Sequence, residues 1–379
     1  MNDSRQPLAG LKVVELARIL AGPWAGQTLA DLGAEVVKVE APQGDDTRTW
    51  GPPFVDDGGG QRSAAYFHAC NRGKSSVVAD FTDPADVARV RALIAEADVV
   101  IENFKVGGLA KYGLDYASLA ADHPRLIYCS ITGFGQDGPY AHRPGYDFVI
   151  QGMGGIMDLT GEPDGAPQKS GVAFADIFTG LYSVIAIQAA LAMRDRTGRG
   201  QHIDMSLLDV MTGVLANQAM NYFVGGESPP RVGNAHLNVS PYAVFPCSDG
   251  WFILAAGNDA QYLRAVAVLG IAPRPEWASN AGRLEHRTAL FAAIEAATRL
   301  RARDDLLAAL EAAGVPVGPI NTVEQAFADP QVVHREMRIA VARPDGTTLP
   351  GLRSPFRFSD ADLATGRAAP RLGEGGGFR

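Results

Sequence analysis

From Ile177 to Met193 the chain carries no charge and no proline, and nearly every residue is apolar or small. A run of this kind reads as a buried core helix. A membrane span needs at least about eighteen apolar residues with flanks suited to an interface. A core helix so greasy must be enclosed by other layers, so the chain must fold around it. Asp176 is the only charged group between Lys169 and Arg194, and it stands where this helix begins. Two readings follow from that position. Asp176 is either an N-cap satisfying the first amides, or a carboxylate nucleophile tuned by desolvation against nearby N–H donors. Position alone leaves both open.

At 379 residues the chain is long enough for two domains. A hydrophobic fraction of 46% with 20% charged residues supports a sizeable core. The net charge of −8 argues against general nucleic-acid affinity. Cys70, Cys129 and Cys247 are scattered and form no C-x-x-C pair, as expected in a reducing compartment. The first residues lack a signal core and an Arg-rich helix, so a cytoplasmic location is expected.

Residues 11–16 read as a strand, Pro23 begins a helix ending near Gly33, and 35–40 form the next strand. This β-α-β pattern implies a parallel sheet with helices on both faces. Only Gly22 and Gly26 occupy the turn, so the dinucleotide fingerprint is absent and a dehydrogenase is poorly supported. Residues 44–62 read as a loop too long for a mere connector, either functional or packed on a partner. Asn71-Arg72-Gly73-Lys74-Ser75 imitates a P-loop tail, but His68 replaces the needed glycine and a strand follows. A helix over 84–97 and a strand over 98–101 deliver Glu102-Asn103-Phe104-Lys105 to a sheet end, where α/β ligands bind. Lys105, Lys111, Arg72 and Lys74 are either a basic mouth for phosphates or solvated surface charge.

Beyond a strand at 126–131, Tyr146 and Asp147 open another helix, so Asp147, like Asp176, is an acid at a helix start. A strand over 201–205 precedes a helix from Ser206 to about Phe223, and 225–230 reads as a domain boundary. A hairpin turned at Ser248-Asp249-Gly250 and alanine-rich helices make a smaller α+β unit. A second hairpin turns at Pro344-Asp345-Gly346. There is no G-x-S-x-G, no H-E-x-x-H and no paired Cys/His spacing, so no metal site is expected. Among seven dispersed histidines, His236 in Gly233-Asn234-Ala235-His236 stands out. Carboxylates remain, and Asp176 is the best placed.

Leu20-Ala21-Gly22-Pro23, residues 32–40, Glu102-Asn103-Phe104, Gly133-Phe134-Gly135 and residues 196–201, in that order, resemble the class III CoA-transferases. That family includes carnitine and formyl-CoA transferases, and the resemblance runs nearly end to end. It implies an α/β fold: a Rossmann-like large domain with a parallel sheet, a smaller α+β domain, and an interlocked homodimer. The implied division is 1–200 for the large domain, 201–224 for a linker helix, 225–328 for the small domain and 329–379 for a returning C-terminal segment. Asp176 matches the family's nucleophile. Asn71, Arg72, Lys74, Asn103, Phe104, Lys105 and Lys111 would bind the CoA nucleotide end, and Arg18 to Ala21 would line the pantetheine path. Leu20 stands where formyl-CoA transferase has glutamine, and Ala41 near where it has arginine.

The resemblance implies acyl transfer through an aspartyl anhydride and an aspartyl-CoA thioester. Coenzyme A is then substrate and product, with no tightly bound cofactor, no nucleic-acid partner and no membrane. Oxyanion donors are expected among the amides of 171–175 or near Gly225. Residues 45–54 and the His236 stretch resemble the succinate–hydroxymethylglutarate (glutarate) CoA-transferase branch, which implies a small dicarboxylate. Arg48 is a candidate for its distal carboxylate by charge, with Tyr146, Asp147 and His236 as further substrate-side candidates. The competing reading on this fold is an α-methylacyl-CoA racemase, but that group places a histidine where this chain has Tyr146. A non-catalytic CoA-binding protein is a third reading.

Overall fold

The computed structural model describes residues 5–58 and 60–378. Residues 1–4, which carry part of the localisation expectation, lie outside them. The chain divides into two compact units. One comprises Met1–Ile156, Lys169–Gly226 and Gln331–Arg379, and the other Met157–Gln168 and Glu227–Pro330.

The first unit is built on six strands: β1 (Lys12–Glu15), β2 (Glu35–Glu40), β5 (Ser75–Val78), β6 (Val99–Glu102), β7 (Ile127–Thr132) and β8 (His202–Ser206). Between β2 and β5 runs a small antiparallel hairpin, β3 (Phe54–Gly58) with β4 (Gln61–Ala64). The stretch expected to be loop therefore holds regular structure. The six strands are all parallel, in the order β5-β2-β1-β6-β7-β8. The Val/Ile-rich interiors of β1, β2, β6 and β7 are buried, as parallel strands covered on both faces must be, while the edge strand β8 is largely half-buried or exposed. From β1 the chain builds outward to β2 and β5, then returns to β6 on the other side of β1. The crevice at the C-terminal ends of β1 and β6 is thus a topological switch point, where open α/β sheets take ligands.

Helices α1 (Ala21–Asp31), α2 (Ala65–Cys70), α3 (Pro84–Ala95), α4 (Tyr116–Leu119), α5 (Asp147–Met153) and α7 (Phe174–Thr197) belong to the unit of the sheet, while the short α6 (Ile156–Leu159) spans the boundary between the units. Helix α7 is long and apolar enough to cross a membrane by length and composition. It packs instead through Ala175, Thr179, Gly180, Ser183, Val184, Ile187 and Ala190, a buried stripe at helical spacing. At Gly180 a Cβ would lie 2.7 Å from the Ala21 carbonyl oxygen, so only glycine lets α1 and α7 approach so closely. Thr179 and Ser183 satisfy their buried hydroxyls on the carbonyls of Ala175 and Thr179. Gly198, at φ 73°, ends the helix by donating its N–H to the Arg194 carbonyl.

Residues 201–224, expected to be a linker helix, belong to the first unit. They supply the edge strand β8 and two helices, α8 (Leu207–Gly213) and α9 (Asn217–Gly225), separated at Ala216 with φ 48°. Ser206 caps α8 by accepting the Asp209 N–H. The second unit packs β9 (Tyr242–Cys247), β10 (Gly250–Ala255) and β11 (Val317–Pro319) with α10 (Asp259–Leu269), α12 (Arg287–Thr298) and α13 (Arg303–Ala312), after the short α11 (Asn280–Glu285). It also contains 157–168, a segment the sequence placed in the large domain.

Candidate active site

The loop after β1 is held by side chains on nearly every backbone group. Lys38 donates to the Ala17 carbonyl at 2.7 Å. Asn103, just past β6, accepts from the Arg18 N–H at 3.0 Å and donates to the Arg18 carbonyl at 2.7 Å. Both carboxylate oxygens of Asp45 face the Ile19 N–H, at 3.3 and 3.2 Å. Ile19 itself sits at φ 72°, in the left-handed region that a β-branched residue avoids. Beneath the loop, the buried Glu15 faces Lys38 at 3.1 Å and Lys74 at 2.8 Å, while Lys38 also pairs with Asp45 at 2.9 Å. Burial opposes the charge on Lys38, yet Glu15, Asp45 and Glu40 together hold its pKa above the ordinary lysine value.

This loop forms one wall of a cavity of about 450 Å³. Arg18, Ile19, Leu20 and Ala21 line it with Asn103, Phe104, Lys105 and Lys111, and with 141–146 opposite. Asp176 lines the same cavity. A second cavity of about 340 Å³ lies over the ends of β1 and β2 and shares Arg18, Phe104 and Tyr112 with the first. Phe81 stacks on Phe104 at 6.0 Å and meets Tyr112 at 5.4 Å, giving that junction an aromatic wall.

Asp176 is not the cap of its helix. The N-cap position is Ala173, and the capping acceptor comes from α5: Asp147 Oδ1 takes the N–H of Ala175 at 2.9 Å. Asp147 Oδ2 accepts from Gln151 at 2.7 Å. The Asp176 carboxylate is thereby left without a hydrogen-bond donor among the described residues. Burial, and secondarily the charge of Asp147, push its pKa up to about 7. A half-buried acid of this kind, facing a cavity, is only partly ionised at neutral pH, and its anion is weakly solvated.

Several expected site residues lie elsewhere. Asn71, Arg72 and Lys74 are buried and do not line either cavity. Lys74 is engaged by Glu15, the Pro23 carbonyl and Asn71 Oδ1, the last two at 2.8 Å. Arg72 pairs with Asp31, its Nε at 3.0 Å. Both charges take part in the fold's own ion pairs. Arg48 is likewise buried, forked onto Glu40 at 2.8 and 2.7 Å with its guanidinium over the Phe67 ring. It lines the cavity that holds Asp176 no more than they do. His236 belongs to the second unit, where its Nδ1 accepts from the Asn238 N–H. Tyr146 is exposed and lines the first cavity. The amides expected as oxyanion donors are mostly occupied: Val172 donates to Ser170, Phe174 to Val172 and Ala175 to Asp147.

Two residues went unnoticed in the sequence. Arg143 lines the cavity, lies over Tyr140 at 4.6 Å, and has no acidic partner among the described residues. Tyr66, on α2, is raised to about 12 by burial first and then by the charge of Asp176, so it stays a phenol. Neither has a sequence signal beyond its residue type. No group of three or more His, Cys, Asp or Glu among the described residues could hold a metal.

The family model described as CoA-transferase family III matches residues 8–375. The chain belongs to that family. The transferase is 57% identical over 379 residues to a succinate–glutarate CoA-transferase from Agrobacterium fabrum, covering 99% of this chain and 95% of the relative. It is 38% identical to a human succinyl-CoA:glutarate CoA-transferase, covering 99% of this chain and 85% of that one. A crystal structure of a CaiB/BaiF family protein from Brucella suis superposes with a TM-score of 0.88 at 65% identity, covering 97% of each chain. The enzyme class implied by the resemblance, acyl-CoA chemistry included, is thus the one its relatives share.

Proposed function

We propose that this transferase moves CoA between small dicarboxylates, of the succinate and glutarate size, through covalent intermediates on Asp176. The observation that carries the reading is Asp176 itself, a desolvated carboxylate with no donor of its own, facing the cavity that Arg18–Ala21 and Lys105 also line. The printed activities of the relatives support the substrate class.

The Asp176 carboxylate attacks the thioester carbonyl of the donor. The carbon–sulfur bond breaks, CoA leaves as thiolate, and an aspartyl–acyl anhydride remains. The thiolate then attacks the aspartyl carbonyl, releasing the donor acid as carboxylate and leaving an aspartyl-CoA thioester. The acceptor carboxylate displaces CoA from that thioester to form a second anhydride. Attack of the thiolate on the acceptor's acyl carbon gives the new acyl-CoA and restores Asp176. One thioester replaces another, so the balance needs neither ATP nor a net proton, and no tightly bound cofactor.

Lys105 and Lys111, without acidic partners among the described residues, suit the CoA phosphates, and the aromatic junction suits the adenine end. Arg18 is already paired with Asp46 at 2.7 Å. Arg143 therefore replaces Arg48 as the handle for the distal carboxylate. A homodimer is also proposed. The outer face of α7 exposes Tyr182, Ile185 and Met193, and α9 exposes Met220, Tyr222, Phe223 and Val224, surface a second copy would cover. Three buried free thiols support a cytoplasmic location.

The test is a panel of succinyl-CoA, glutaryl-CoA and acetyl-CoA against mono- and dicarboxylic acids, read by mass spectrometry. Exchange among the dicarboxylates is expected. Thioester hydrolysis without exchange would overturn the reading.

A further inference from the structure

Asn103 stands where the family resemblance implies a CoA ligand, yet its amide is turned onto the protein's own backbone. Its Oδ1 takes the Arg18 N–H at 3.0 Å and its Nδ2 donates to the Arg18 carbonyl at 2.7 Å. The pair bridges the two strands that flank the switch point, since Arg18 follows β1 and Asn103 follows β6. Residue 19 sits at φ 72°, a left-handed conformation that a β-branched residue avoids and that persists only when its surroundings over-determine it. Asp45 on the Ile19 N–H and Lys38 on the Ala17 carbonyl complete that hold. The strained residue directly precedes Leu20 and Ala21, which share the cavity wall with Asp176.

We infer that Asn103 is a positioning residue: its side-chain amide clamps Arg18, keeps Ile19 in its left-handed conformation, and so sets Leu20 and Ala21 against the reacting carboxylate. It acts on the chemical step through the loop and contributes little to holding the CoA ester, whose charged end is left to the cavity's lysines. The inference rests on the proposed role of Asp176, and the two can fail separately.

The experiment compares Asn103→Ala and Asn103→Asp with the unaltered enzyme in steady-state exchange between succinyl-CoA and glutarate. Alongside it, the rate at which hydroxylamine-trappable adduct forms on Asp176 is followed by mass spectrometry. Asn103→Ala should lower kcat and the adduct-forming rate by roughly 10- to 100-fold, with KM for succinyl-CoA within about twofold, as expected when a transition-state interaction is lost. Asn103→Asp keeps an acceptor for the Arg18 N–H but loses the donor, so it should fall between the two. A raised KM with kcat intact would make Asn103 a CoA ligand and overturn the inference, and so would wild-type kinetics. Should Asn103→Ala fail to fold, by circular dichroism, the same split in Asn103→Asp decides. Absence of any adduct in the unaltered enzyme would instead refute the Asp176 reading.

Discussion

Asp147 Oδ1 lies 2.9 Å from the amide nitrogen of Ala175 and 3.4 Å from that of Asp176, so one acid caps the helix that presents the other. The arrangement separates two jobs that a single N-terminal aspartate would have to combine. The cap absorbs the amides' partial positive charge, and the second carboxylate is left poorly solvated beside a like charge.

Asp147→Asn tests that division. The amide oxygen can still accept from the helix, but the like charge beside Asp176 is gone. The acid limb of the kcat/KM profile, set by ionisation of Asp176 near pH 7, should move to lower pH. It should stay above the ordinary carboxylate value of 3.8, because burial is the larger cause of the shift. Asp147→Ala should in addition cost about 1 kcal/mol from the lost cap, measured by thermal denaturation.

Asp176→Asn should lower kcat by roughly 10³-fold or more, as loss of a covalent nucleophile does. It should also change stability in a pH-dependent way. A carboxyl group whose pKa rises from 3.8 to about 7 on folding makes the native chain bind more protons than the unfolded chain between those values. Stability contributed by this group is therefore lost as pH rises from about 4 to 7. The variant should melt at a higher temperature than the parent at pH 8 and show no such gain at pH 4.

Glu15 carries the charge beneath the loop. Its carboxylate, wholly buried, serves both Lys38 and Lys74. Glu15→Gln would leave two buried ammonium groups with less than their compensating charge, and a loss of about 3–5 kcal/mol is expected in urea unfolding. Gly26→Ala should be destabilising too, because its Cβ would fall 1.8 Å from Glu15 Oε2.

Arg143→Ala should raise KM for glutarate as acceptor by roughly 10- to 100-fold, the scale of a lost charge-assisted hydrogen bond. For a monocarboxylic acceptor the change should be small. Equal effects on both would place the guanidinium on CoA rather than on the distal carboxylate.

The main sheet was legible because buried parallel strands read as near-continuous apolar runs, as Val99–Glu102 and Ile127–Thr132 do. The hairpin at 54–64 was not, since Asp56, Asp57 and Gly58 in its first strand mimic a loop. Asp176 could be singled out as the lone charge at the head of a greasy helix. Its relation to Asp147 could not, because the capping contact spans 28 residues. The internal pairing of Arg48, Arg72 and Lys74 was illegible for a similar reason. Their partners Glu40, Asp31 and Glu15 are fixed by the tertiary fold, as buried charges require, and residue type does not reveal them. One signal was present and passed over: Lys38 within the valines of β2 is a charge in a central strand, and such a charge must find a partner.

The central claim is a covalent bond to one carboxylate, and trapping measures it directly. The enzyme would be turned over with succinyl-CoA and glutarate, quenched with borohydride or hydroxylamine, digested, and mapped by peptide mass spectrometry. The account predicts conversion of Asp176 to homoserine by borohydride and to a hydroxamate by hydroxylamine, dependent on acyl-CoA. Modification at another residue, or exchange at full rate with Asp176 never modified, would contradict it.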